Sequence, residues 1–110
     1  MYKAPNSNVA NPASQLTNGF DPAEYPGEGP FFSVNDSSIA EQFQQSYQNG
    51  LQKFTMPAST FNDLMERGII QSDSYYPPGQ SINVPAKGLE EFNEAIMQGS
   101  PNTYTPQPPP

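Results

Sequence analysis

The side chains that could do chemistry in this 110-residue chain are carboxylates, amides, hydroxyls and tyrosines, because neither histidine nor cysteine occurs. This composition excludes catalytic triads that need histidine, zinc sites built on imidazole or thiolate, and disulfide scaffolds. The usual proton shuttle near neutral pH is missing as well. Any reaction must therefore use the remaining polar groups or the bound ligand itself, and no metal ion is predicted.

The charge balance also restricts the class of ligand. The formal net charge is -7, from 11 acidic and 4 basic residues. So few cations cannot form the basic stripe that nucleic-acid binding requires, although one or two can hold a small phosphate-bearing ligand. No apolar run approaches roughly 18 residues, and the first residues lack the apolar core of a signal peptide. We therefore expect a soluble protein that binds neither nucleic acid nor membrane and whose export would be encoded elsewhere.

A site-like arrangement lies between Gly27 and Tyr47. A short apolar strand over residues 30–34, bounded by glycine and proline, leads through the helix-capping residues 35–38 into an amphipathic helix. Glycines beside a strand leave room for a ligand to approach the backbone. The strand would display the three candidate binding residues Phe31, Phe32 and Ser33.

The rest of the chain predicts an α+β domain with a small mixed or antiparallel sheet, about three short helices and proline-rich loops. Apolar residues at helical spacing surround Phe43, Phe61 and Phe92. The first residues, closed by Pro5, are expected to form an edge strand. We expect one compact domain over residues 1–98, followed by a flexible proline-rich tail, 99–110, that has no core face.

Short motifs along the chain occur in a recognisable order. They are MYKAP at 1–5, GPFFS at 29–33 followed by AEQF at 40–43, FTMP at 54–57 and GQSINVP at 79–85. In this order the chain resembles the small ADP-ribosyltransferase-like toxin domains at the C-termini of bacterial polymorphic toxins, including those of the Rhs type. The resemblance covers nearly the whole chain except the proline tail, and it implies an ADP-ribosyltransferase-like fold.

The resemblance implies a mono-ADP-ribosyltransferase that splits NAD and modifies a protein in a target cell. Such families use an Arg or His on the first strand, an aromatic or Ser/Thr strand in the middle, and a Glu on a late strand. Lys3 falls at the first position, Phe32 and Ser33 at the second, and Gln80 at the third. Lys lacks the bidentate fork of Arg, and Gln lacks the charge of Glu, so weakened catalysis is expected.

The implied roles follow from these positions. Lys3 would hold a phosphate or ribose oxygen, Ser33 would hydrogen-bond the ligand, and Gln80 would orient the ribose 2′-hydroxyl. Aromatic rings would sandwich the nicotinamide. The residues implied to contact NAD are Tyr2, Lys3, Tyr25, Phe31, Phe32, Ser33, Tyr75 and Gln80. As a toxin domain the chain would be secreted or delivered as part of a larger protein, with a possible cognate immunity protein as a partner.

Plainer interpretations stay open beside this one. Lys3 could be a solvated surface lysine, Gln80 an exposed strand residue, and the tyrosines packed anchors of proline-rich loops. A protein-binding module, with a tyrosine-lined groove and a docking proline tail, would fit the same sequence. So would an acidic immunity or inhibitor protein that complements a basic toxin.

Overall fold

Six short strands form one antiparallel sheet in the order β4-β5-β2-β1-β3-β6. The computed structural model describes residues 1–73, 76–77, 80–98 and 101–108. The strands are β1 Tyr2–Lys3, β2 Phe31–Ser33, β3 Leu51–Lys53, β4 Gln71–Ser72, β5 Ser81–Asn83 and β6 Thr103–Thr105. The predicted α+β class is confirmed, and the sheet is antiparallel throughout its recorded pairs.

Helices account for most of the remaining regular structure. They are α1 Gln15–Asn18, α2 Ser38–Tyr47, α3 Ala58–Glu66 and α4 Leu89–Gln98, with 3-10 turns at Pro12–Ser14 and Ala86–Gly88. The helices predicted around Phe43, Phe61 and Phe92 are α2, α3 and α4. Among the described residues, no helix has both the length and the apolar character needed to cross a bilayer.

Aromatic rings fill the centre of the core. The rings of Phe20, Phe32, Phe54 and Phe92 are almost completely buried, and their centroids are 5.1 to 5.8 Å apart where they meet. Tilted and edge-to-face contacts at these distances suit aromatic pairs. The residues come from a loop, β2, the end of β3 and α4. This cluster therefore fixes β2 and its neighbours against α4.

Strand β1 lies inside the sheet, so the predicted edge position is wrong. Tyr2 pairs with Ser33 of β2 on one side, and both residues of β1 pair with β3 on the other. Pro5 lies beyond the paired residues, so its missing N–H removes no hydrogen bond from the ladder. Proline after a strand thus indicates where the strand ends rather than where it lies in the sheet.

The predicted tail also requires a correction, because residues 103–105 form strand β6 at the sheet edge. They pair in register with all three residues of β3. The hydroxyl of Tyr104 donates to the backbone carbonyl of Asn49 at 3.1 Å. The short Thr-Tyr-Thr run has good strand propensity, which the surrounding prolines concealed. The sheet therefore extends beyond the predicted domain end at residue 98.

Replacing Asn102 with alanine is expected to lower the free energy of unfolding by about 1–3 kcal/mol. The Asn102 amide accepts a hydrogen bond from the Thr55 backbone N–H at 3.0 Å and donates one to the Ile96 carbonyl at 2.8 Å. Urea denaturation of Asn102→Ala checks this, with the exposed Asn62→Ala as the matched control. Equal midpoints for the two variants would show that these two hydrogen bonds add nothing measurable to stability.

Candidate functional site

A cleft of about 680 Å³ lies beside β2, bordered by α2 and by the residues around β1. This volume is within the usual range for small-molecule sites. Its aromatic lining residues are Tyr2, Tyr25, Phe31, Phe32, Phe43, Tyr47 and Tyr76. Four of its polar lining residues are Lys3, Ser33, Asp73 and Ser81. The cleft therefore joins stacking surfaces to a few polar groups, a combination typical of ligand sites.

The cleft opens where two central strands part. In the described chain, β1 and β2 pair at one position, Tyr2 with Ser33. At the next position Lys3 pairs with Gln52 of β3, while Phe32 pairs with Ile82 of β5. Lys3 and Phe32 are thus neighbours that do not pair, and both border the cleft.

Lys3 is buried, with 7% of its surface exposed, so the surface-lysine interpretation is wrong. Its Nζ lies 5.5 Å from the centroid of the Tyr25 ring, a cation–π distance. Burial lowers the pKa of Lys3 from 10.5 to about 8. No hydrogen bond or ion pair to this ammonium is found among the residues that the structure describes. A bound anion would supply the missing partner.

Tyr25 is both a packed loop anchor and a wall of the cleft. Gln15 Nε2 donates to its hydroxyl at 2.9 Å, and Gln52 Nε2 in turn donates to Gln15 Oε1 at 2.7 Å. The ring meets Phe20 edge to face at 5.4 Å. Burial raises the pKa of Tyr25, so the hydroxyl stays neutral. This chain of amides holds the ring against Lys3.

Ser33 supplies a second buried polar group in the cleft. Its residue is 2% exposed, and within the described chain no group hydrogen-bonds its Oγ. Buried hydroxyls are nearly always paired in folded proteins, so an unpaired one in a cleft indicates a place for a ligand atom or a water. The predicted ligand contact at Ser33 therefore agrees with its position.

A row of side chains crosses four neighbouring strands on the same face as Ser33. Tyr2 and Ser81 lie directly opposite Ser33 on either side. Asp73, which follows β4, donates its backbone N–H to the Ser81 carbonyl at 2.9 Å, and Ser81 Oγ donates to Asp73 Oδ2 at 3.3 Å. Sequence reasoning missed Asp73 and Ser81, because only strand register places them beside Ser33.

The two adjacent phenylalanines of β2 have opposite surroundings, as expected for neighbours on a strand. Phe31 is 39% exposed and offers its ring to the cleft. Phe32 is 1% exposed and its ring packs against Phe20 and Phe92. Contact between Phe32 and the ligand stays a prediction, because Phe32 borders the cleft while its ring packs in the core.

The third predicted position does not reach the cleft. Gln80 lies in the turn before β5, its side chain is exposed, and it is not among the residues that line the cleft. The predicted strand over 80–84 is shorter, and its first residue is Ser81. Tyr75, the other predicted stacking residue, lies outside the described residues. Tyr76 borders the cleft nearby.

These positions leave the cleft with one buried cation, one buried carboxylate and two serine hydroxyls among its described residues. Comparison of the chain with protein-family models, curated proteins and solved structures found no significant match. Function must therefore be argued from the cleft. In the described ranges, acidic side chains do not gather into groups of three that could hold a metal ion.

A larger hollow of about 880 Å³ lies along the loop that precedes β2. Its charged lining residues, Asp21 and Glu24, are exposed. Charges in contact with water need no ligand. The smaller cleft, which buries a lysine and an unpaired hydroxyl, is therefore the better candidate.

The stability of the free protein is expected to rise as pH increases from about 8 to 10.5, because the folded state releases the Lys3 proton first. In that window the unfolded chain binds more protons, so a higher pH favours folding. Below the lower value Lys3 is protonated in both states, and the burial cost is fully present. The gain is at most about 3 kcal/mol.

The matched measurement is urea denaturation of the wild type and of Lys3→Met at both ends of this pH window. Other titrating groups, including Tyr25, are common to the two proteins and cancel in the difference. The wild type should gain stability relative to Lys3→Met as pH rises. An unchanged difference would mean that the Lys3 ammonium is hydrated in the folded protein.

Proposed function

We propose that the cleft binds NAD and breaks its nicotinamide–ribose bond, which would make the chain a mono-ADP-ribosyltransferase-like domain. The observation that carries this proposal is a cleft with aromatic walls that is lined by the buried Lys3 and by the buried Ser33, whose Oγ has no hydrogen-bond partner among the described residues. Strands β1, β2 and β5 are adjacent in the sheet. The resemblance needs its three elements on a first, a middle and a late strand; the first two, on β1 and β2, border the cleft, whereas Gln80 lies before β5 and is not among the residues that line it.

The chemical groups of NAD match the cleft in two places. Its diphosphate would pair with the Lys3 ammonium, which gains an anion inside a partly desolvated site. Its nicotinamide is a positively charged ring, which suits the faces of Phe31 and the neighbouring tyrosines. Ser33 Oγ would hydrogen-bond the bound nucleotide between these two ends. The predicted NAD contacts at Tyr2, Tyr25 and Phe31 keep their roles in this arrangement.

Bond breaking requires little acid or base chemistry from the protein. The bonding electrons between the ribose anomeric carbon and the ring nitrogen move to nicotinamide, which leaves as a neutral molecule. Positive charge develops on the ribose, and water or a nucleophilic side chain of the acceptor protein attacks that carbon and loses a proton. The absence of histidine is compatible with this chemistry, because the leaving group needs no protonation.

The cellular role that we propose follows the resemblance. The domain would modify a protein in a target cell, would reach that cell by secretion or delivery as part of a larger toxin, and would have a cognate immunity protein. Phe43 and Tyr47 on α2 stack at 5.8 Å and border the cleft. This aromatic rim would contact the acceptor protein as it approaches the ribose.

A second candidate function is a protein-binding module without catalysis. Phe31 and Phe43 are each about 40% exposed, and both lie along the cleft. Exposed aromatic side chains of this kind are enriched in protein interfaces. In this alternative the cleft would hold a side chain of a partner protein, and the buried Lys3 would pair with a carboxylate.

The discriminating experiment is a calorimetric titration of the protein with NAD, followed by an assay for released nicotinamide. The proposal predicts binding with one site per chain and release of nicotinamide at a slow rate. Lys3→Arg, which restores a bidentate phosphate donor, should strengthen binding. If neither protein binds NAD, the transferase proposal is wrong and the binding-module alternative stands.

A further inference from the structure

The side chain of Lys3 differs in one respect from those of the other two lysines in this chain. Lys3 is 7% exposed and lines the cleft, whereas Lys53 and Lys87 are exposed. The Nζ of Lys3 lies 5.5 Å from the centroid of the Tyr25 ring. The Nζ of Lys53 lies at nearly the same distance, 5.7 Å, from the centroid of the Tyr2 ring. Burial, rather than contact with an aromatic ring, therefore distinguishes the Lys3 amine.

The residues beside Lys3 on the two neighbouring strands carry no charge. Gln52 lies directly opposite on β3, and Phe32 is the neighbour on β2 with which Lys3 does not pair. Opposite residues of an antiparallel pair share a face of the sheet, so an acidic residue in place of Gln52 could neutralise the ammonium. The Gln52 amide nitrogen instead donates to the Pro12 carbonyl and to Gln15 Oε1. Neither neighbour offsets the cost of burying the charge.

The cost of burial makes part of the Lys3 side chain a neutral amine near neutral pH. Burial lowers the pKa of Lys3 from 10.5 to about 8. At pH 7 about a tenth of Lys3 is then neutral, against well under a thousandth of a lysine with the ordinary pKa. The neutral form has the lone pair that attacks carbon, and desolvated lysines act as nucleophiles toward carbonyl groups for this reason.

We propose that Lys3 Nζ is a nucleophilic amine that forms an imine with a small aromatic aldehyde bound in the cleft. This inference goes beyond the proposed function and does not depend on it. The Tyr25 ring lies against Nζ and also lines the cleft, so it offers a flat surface for an aromatic ring next to the amine. The cleft volume of about 680 Å³ is ample for such a molecule.

The reaction needs only the neutral amine and the aldehyde. The lone pair of Nζ attacks the carbonyl carbon, and a proton moves from nitrogen to oxygen to give a carbinolamine. Loss of water then leaves a carbon–nitrogen double bond, and the water carries away the carbonyl oxygen and both amine protons. No oxidant or reductant is consumed. Attack by water reverses the reaction and releases the aldehyde.

Reductive trapping with salicylaldehyde as the probe tests the proposal on the wild-type protein at pH 7. Cyanoborohydride donates a hydride to the imine carbon and solvent supplies a proton to nitrogen, so each imine becomes a stable secondary amine. Tandem mass spectra of peptides then give the labelling rate of each amine. Lys3 should be labelled roughly tenfold faster than Lys53 and Lys87, because burial raises the neutral fraction of its amine. The Met1 amino group, which donates to the Phe54 carbonyl at 2.7 Å, is scored separately.

Lys53 is the matched control, because its amine also lies over an aromatic ring but is exposed. In urea, where burial is lost, the three lysines should react at similar rates. Equal labelling of Lys3 and Lys53 in the folded protein would overturn the proposal. A preference for Lys3 that persists in urea would also overturn it, because the preference would then come from the local sequence and not from the cleft.

Adding NAD separates this inference from the proposed function. If the diphosphate pairs with Lys3, NAD should slow the labelling of Lys3 and leave that of Lys87 unchanged, because a bound anion favours the protonated amine. Fast labelling of Lys3 that NAD does not slow would contradict the NAD site at this lysine and leave the nucleophilic amine standing. Slow labelling of Lys3 without NAD would overturn this inference alone.

Discussion

Lys3→Met is expected to weaken NAD binding by roughly 10- to 100-fold while stabilising the free protein near neutral pH. The variant removes a cation that is 7% exposed and has a depressed pKa. Without a ligand, that cation costs stability because burial disfavours its charge. With a ligand, the same cation pairs with phosphate. Opposite effects on stability and affinity are therefore the signature of a binding residue.

Calorimetry with NAD and urea denaturation measure the two effects on the same preparation. The control is Lys87→Met, which removes an exposed lysine from the turn before α4. It should change neither quantity much, because a solvated charge far from the cleft contributes little. A loss of stability in Lys3→Met without any change in affinity would make Lys3 a structural residue instead.

Gly29→Ala is expected to destabilise the fold by more than about 3 kcal/mol, among the largest effects of any single substitution. Gly29 has a φ of +72°, which residues with a side chain rarely adopt. A Cβ built there would lie 1.7 Å from the backbone carbonyl oxygen of Val84. Val84 donates its N–H to Pro30, so the clash occurs where β2 meets β5. The variant must displace one of these strands.

Gly27 provides a matched control in the same loop. Its φ of +68° is nearly the same, yet nothing lies within 4 Å of an added Cβ. Gly27→Ala should therefore cost only the conformational penalty, about 1–2 kcal/mol. Urea denaturation of both variants separates strain from collision. Equal losses of stability in the two variants would mean that the close approach of Gly29 to Val84 does not add to the cost of the substitution.

Local patterns predicted the elements whose signals are contained in short stretches of sequence. Helices α2, α3 and α4 follow from apolar residues at helical spacing, and Gly68, with a φ of +75°, ends α3 as its position indicated. The opposite faces of Phe31 and Phe32 follow from strand alternation. The sequence does not show which of these two rings packs in the core, because its aromatic partners come from distant parts of the chain.

Features that depend on the pairing of strands distant in the chain could not be predicted from the sequence. A strand of two or three residues carries no signal that shows which strands it pairs with, so the sequence misplaces β1 at an edge and misses β6. The same limit hid Asp73, because it enters the candidate site through its register with Ser81 rather than through any motif. Gln80 shows the reverse error, since a motif position one residue before β5 does not determine where the side chain lies.

The most direct test of NAD binding in this cleft is titration of isotope-labelled protein with NAD, followed by amide chemical shifts in NMR spectra. We expect saturable shifts at Lys3, Ser33 and Ser81, which lie where β1, β2 and β5 border the cleft. Asn8 and Ser14, which line the larger hollow, should stay unchanged. Shifts confined to that hollow, or no saturable shift anywhere, would contradict the assignment of this cleft as an NAD site.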